Sequence, residues 1–253
     1  MEVHHHPKLE KKNFKGYFLE FLMIFLAVTM GFLAENLRES LKHKEEILMN
    51  MESLASDLYS DVAFFDSQLR RNEYCCNMTD SLIYLLNDIK NTNDIYYSAR
   101  VVTANFGYFY SNSKTFEQMK SSGTLRLISK RSLLDSIADY YSSMQWLQNQ
   151  TELMRIKVDA IHLGNSELFD SRVFHKMLQK TDYGNFQDGE NVNIYRPLDN
   201  PLLISTELIK INKVCMNYHY FYTTMKFYDK TAKQISQKAR ELIVRIHSEY
   251  NLE

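Results

Sequence analysis

Between Lys15 and Arg38 the chain reads GYFLEFLMIFLAVTMGFLAENL, and from Gly16 to Ala34 its only charged residue is Glu20. At about 1.5 Å per residue this run makes about 28 Å of helix, close to the roughly 30 Å of hydrocarbon in a bilayer. One transmembrane helix over 16–35 fits. A cleaved signal peptide is the rival, since lysines precede the run. The stretch exceeds a typical signal core, however, and no small-x-small cleavage site follows it, so the sequence is read as an anchor.

Glu20 lies about one turn into this segment, where a carboxylate can reach the headgroups, meet Lys12 or Lys15, and favour the positive end of the helix dipole. That reading is preferred to an ion path, the other use of an intramembrane charge. Lys8, Lys11, Lys12 and Lys15 precede the span and Arg38, Lys42 and Lys44 follow it, a small excess that puts the basic tail, 1–15, in the cytoplasm. The rest of the chain is then expected outside, in the periplasm of a bacterial cell. His4, His5 and His6 on that tail offer adventitious metal affinity only, because adjacent histidines supply no fixed geometry.

Thirty basic residues against 31 acidic give a net charge of −1, so no field favours nucleic acid. Seven glycines and three prolines in 253 residues leave few turns and argue for long helices. Apolar residues recur at alternating intervals of three and four through Leu48, Met51, Ala55, Leu58, Val62, Phe65 and Leu69, and on to Cys76, Ile83 and Leu86. This heptad seam predicts that the spanning helix continues to about Asp88. A second seam from Leu133 to Ile161, stopped by Gly164, predicts a helix over 132–163. A third runs from Leu208 through Ile211, Cys215, Tyr218 and Met225 to Ile246, with Asp229 as its one polar intruder. Three seams needing partners define an all-α protein, in which residues 36–253 form an elongated antiparallel helical bundle or coiled coil.

Two segments differ in kind. An aromatic-rich connection, 95–123, carries Phe106, Tyr108, Phe109, Tyr110 and Phe116 and ends in the short helical pattern KTFEQMKSSG. The seams do not account for these rings, so they are the candidate contact surface, with packing over the bundle tip as the competing explanation. The stretch 181–201, with Gly184, Gly189, Pro197 and Pro201, reads as an irregular loop, and 165–179 as one shorter helix.

The blocks MEVHHHP and YFLEFLMIFLAVTMGFLAENLRE, with the later TFEQMKSSGTLRLISKRSLLDSIADYY, resemble a domain-of-unknown-function family of single-pass membrane proteins of bacteroidete bacteria. The two regions cover about a quarter of the chain. The resemblance implies a bacterial inner-membrane protein with a helical outer domain, and it brings no reaction, cofactor or catalytic residue.

Motifs for chemistry are missing: no Gly-Lys phosphate loop, HExxH or nucleophile elbow occurs. Ser111 and Lys114 match Ser-x-x-Lys by letter, without its companion motifs. His162 and His175 flank Glu167 but lack the paired Glu-x-x-His of a bundle metal site. No cofactor or metal is therefore expected. If the first helix ends near Asp88 and the third begins near Leu203, Cys76 and Cys215 fall at one height on facing seams, a candidate disulfide; free buried thiols are the alternative. The functional expectation is a non-enzymatic, membrane-anchored scaffold or interaction module, with a protein partner or homo-oligomer besides the lipid bilayer. A periplasmic small-molecule or peptide sensor signalling through the first helix is the alternative.

Overall fold

With so little to interrupt it, the backbone closes its hydrogen bonds within helices, and no β-strand occurs among the described residues of the computed structural model, 14–182 and 192–252. Most of the basic tail, including His4 to His6, lies outside the described residues, as do Gly184 and Gly189 of the loop. The elements are α1 (Phe14–Asn87), α2 (Thr92–Asn105), α3 (Lys114–Ser122), a short 3-10 turn (Thr124–Leu127), α4 (Arg131–Asn149), α5 (Thr151–Leu168), α6 (Ser171–Gln179) and α7 (Leu208–Tyr250).

The chain divides into two units, one up to Met49 and one from Asn50 onward. In the first, α1 presents its apolar side chains bare: Ile24 is 66% and Phe32 69% exposed, and none of the apolar window is covered by protein. This helix is long and apolar enough to cross a membrane. Glu20 is only half-exposed on it.

The second unit is a helical bundle that begins near Asn50, later than the residue 36 expected. Its core follows the seams: Met51, Leu58, Phe65 and Leu86 of α1, Leu133, Ile137, Met144 and Leu147 of α4, and Tyr218, Met225, Ala232 and Ile246 of α7 are buried. Helices α1 and α7 run antiparallel, with Tyr59 edge-on to His247 at 5.9 Å, Asp66 bridged to Arg240 at 2.8 Å and Asn72 bonded to Asp229 at 2.7 Å.

Four boundaries differ from expectation. The helix expected over 132–163 is two, α4 and α5, joined at Gln150, whose amide is shared among the carbonyls of Trp146, Leu147 and Gln148. Its backbone stays near helical values (φ −73, ψ −12), so the break hardly disturbs phase and leaves Leu147 and Met154 both buried. Periodicity alone could not reveal it. Gly164 does not stop α5: a Cβ there would sit 2.9 Å from Asn217 Nδ2 and 3.3 Å from Val214 Cγ2, so glycine lets α7 approach. The stretch 165–179 is not one helix either, because Phe169 is extended and the Asp170 side chain accepts the Arg172 amide to start α6. Finally, α2 occupies the first half of the segment read as a connection.

Candidate functional site

Residues 106–113 form a non-helical strap between α2 and α3, laid along α1 and α7. Its aromatic residues were the candidate contact surface, and burial corrects that for two of them. Phe106 is 8% exposed and meets Phe221 edge-on at 5.9 Å; Phe109 is 2% exposed, between Phe65 at 5.4 Å and Tyr228 at 5.2 Å. Phe109 thus packs between α1 and α7, and Phe106 packs on α7, as parts of the core. Tyr108 is half-buried against Phe106, and Phe116 is half-buried, stacked on Tyr141 at 4.2 Å. Tyr110 alone of the five is largely outside, over Phe64 at 4.0 Å.

A non-helical segment inside a bundle leaves its amides without helix partners, so α1 must supply acceptors. Asn72 Oδ1 accepts the Gly107 amide at 2.7 Å while its Nδ2 donates to Asp229 at 2.7 Å. Asp61 accepts the Asn112 amide at 2.6 Å and the Tyr140 hydroxyl at 2.7 Å. One turn earlier, Asp57 accepts from the Asn112 side chain at 2.6 Å and from the Thr115 amide at 3.2 Å. The last of these bonds caps the N-terminus of α3, which has no side-chain cap of its own. A Cβ on Gly107 would fall 2.2 Å from Gln68 Oε1, so a larger residue there requires the Gln68 side chain to move. Asp57, Asp61 and Asn72 were not singled out in the sequence, where Tyr140 appeared only as a position of the second seam.

Burial pushes the Asp61 and Asp229 carboxyls up from 3.8 to about 6, opposed by the bonds from Tyr140 and Asn112 to the first and from Asn72 to the second. A carboxyl raised in the fold favours its protonated form there. The pair therefore contributes most stability below about pH 4, and that contribution is lost as pH rises through about 6. At 1.36 kcal/mol per pH unit, the combined loss is on the order of a few kcal/mol. Urea unfolding of the detergent-solubilised protein should show its midpoint falling from pH 5 to pH 7, and more shallowly in D61N/D229N; equal slopes would detach the effect from these two groups.

The cysteines do not meet as expected. All three are free. The α1–α7 pairings bring Cys76 near Lys226, whose charge acts on its thiol, whereas Cys215 lies a further eleven residues along α7. At about 1.5 Å per residue that is about 16 Å, far outside disulfide reach. Antiparallel pairing was right and the register was not. Burial pushes the Cys76 thiol up to about 11, and that of Cys75, bonded to the Val102 carbonyl, higher still, so neither is a ready nucleophile.

No group of three or more His, Cys, Asp or Glu placed to hold a metal occurs among the described residues. Glu167 is paired with Lys213 at 2.6 Å, and His175 faces Gln179. Open grooves remain on the surface: one of about 480 Å³ beside Tyr84, Tyr97 and Arg196, and one of about 340 Å³ beside Phe116, Tyr141 and Gln145. In the first, Arg196 is already engaged, by Asp94 at 2.8 Å and the Tyr97 ring at 4.3 Å. The polar groups beneath the strap thus hold backbone in place and present no paired nucleophile and base. Comparison of the chain with protein-family models, with curated proteins and with solved structures finds no match.

Proposed function

We propose that the protein is a non-enzymatic interaction module anchored in a bacterial inner membrane by the first part of α1, with its N-terminus in the cytoplasm and its bundle in the periplasm. The observation that carries this reading is the contrast along one helix. α1 exposes every apolar side chain of its first turns and, beyond Asn50, buries a regular seam in a bundle. The carboxylates and amides inside that bundle serve the strap, and the strap's two deepest rings serve the core, so the aromatic segment is a poor seat for a ligand. This favours an interaction module over a sensor.

Orientation follows from the lysines before the span. Fusions placed after Leu252 should give active alkaline phosphatase and non-fluorescent green fluorescent protein, since the first folds in the periplasm and the second in the cytoplasm. The opposite pair of readings would reverse the orientation.

A further inference from the structure

Helix α7 carries a second apolar stripe, on the side turned away from the core. Ile209, Met216, Tyr220 and Phe227 are 76%, 39%, 51% and 59% exposed. Their spacing of seven, four and seven residues holds them within about 40° of arc at 100° per residue, the periodicity of a coiled-coil seam. Beside them α5 exposes Leu153, Ile156 and Leu163, at 45%, 56% and 68%.

The two stripes are level with each other. Glu167 meets Lys213, the Ala160 carbonyl accepts from Asn217, Lys157 lies over the Tyr220 ring and Thr151 bonds Tyr228, which fixes α5 antiparallel to α7. That register sets Leu163 beside Met216, Ile156 near Tyr220 and Leu153 near Phe227. Gly164 permits the close approach that makes the two ridges one surface.

We propose that this α5–α7 face is the interface between two copies of the chain, related by a two-fold axis along the helices. Two observations support a second copy as its occupant. Taking about 200 Å² for a large side chain, the exposed fractions amount to about 800 Å², one partner's share of a standard interface. Such a patch exceeds what monomers commonly leave bare. The heptad spacing is also that of a helix-to-helix contact rather than a lipid-facing or ligand-facing surface.

A two-fold axis along the helices lays α5 of each copy on α7 of the other, as an isologous contact requires. The inference deepens the reading of the bundle as an interaction module but uses only this face, and it stands whichever way the span is oriented.

The test is the mass of the full-length, detergent-solubilised protein by light scattering with sedimentation, from about 0.1 to 50 µM, a range wide enough to reveal a dimer of ordinary affinity. The wild-type protein should be dimeric, and Y220E/F227E should be monomeric, with its dissociation constant raised at least about a hundredfold. Circular dichroism and the melting temperature check that this variant folds. If it does not, I156E/L163E on the other ridge replaces it and should give the same monomer. A wild-type monomer throughout the range overturns the proposal. So does a dimer that survives the substitutions in a folded variant, which would place association elsewhere, in the span for example. The reporter fusions described above read orientation separately, so failure of one reading is distinguishable from failure of the other.

Discussion

Replacing Asn72 by leucine should destabilise the bundle by about 3 to 5 kcal/mol at pH 7.5, the range seen when one partner of a buried charged interaction is removed. Asn72 is fully buried and serves two partners at once, the Asp229 carboxylate at 2.7 Å and the Gly107 amide at 2.7 Å. Leucine has a similar volume but no polar atom, so the carboxylate loses its amide donor and the amide its acceptor, with little water able to reach either. The defect should shrink at pH 5, where Asp229, its carboxyl already raised to about 6, takes up a proton and no longer buries a charge. Adding D229L should restore much of the loss, because removing both polar partners costs less than stranding one. Urea unfolding of the detergent-solubilised protein at the two pH values measures all three. A loss below about 1 kcal/mol at pH 7.5 would mean that the pair is solvated and does not hold the strap.

Asn72 also shows how much could be read from the chain. The α1 seam, stepping by three and four, passes from Leu69 to Cys76 and on to Ile83; the positions it steps over are Asn72 and Thr79, both fully buried. An apolar-periodicity reading skips such residues by construction. On α7 the corresponding intruder, Asp229, was visible. Matching the two polar seam positions, Asn72 with Asp229, sets the observed register, whereas matching Cys76 with Cys215 by their distance from the helix ends missed it. Cys76 and Cys215 lie at different heights because α1 and α7 do not end level: the turn after Asn87 leads into α2, not directly to the distal end of α7.

The helical class, the antiparallel pairing and most core positions were legible because burial on a helix leaves a 3.6-residue signature. The break at Gln150 and the role of Gly164 were not, since one keeps helical phase and the other depends on a neighbour about fifty residues away. The strap was the hardest to read. Non-helical backbone inside a helical bundle is defined by long-range acceptors on Asp57, Asp61 and Asn72, and nothing local in FGYFYSNS distinguishes rings that are buried from rings that are exposed. The α5–α7 stripes, in contrast, were in the sequence throughout, spaced as a seam; only solvent exposure separates them from the core seams.

That ambiguity makes the strap the place where a single substitution should speak most clearly. Phe109→Ala should cost about 3 to 5 kcal/mol, the range for emptying a fully buried aromatic site. Phe109 is 2% exposed, and its ring is fixed by Phe65 from α1 and Tyr228 from α7. Neither neighbour can close the gap easily: Phe65 is itself fully buried, and the Tyr228 hydroxyl is bonded to Thr151 at 3.0 Å. Tyr110→Ala, at the very next position and in contact with Phe64, should cost less than about 1 kcal/mol, since Tyr110 is 53% exposed. The two substitutions remove rings of similar size from adjacent residues, so their difference isolates burial from composition. Melting of the two full-length variants in detergent, side by side, reads it. A Phe109→Ala protein as stable as the wild type would return the segment to the role of a contact surface, whereas a loss confined to Phe109 makes the strap part of the core between α1 and α7.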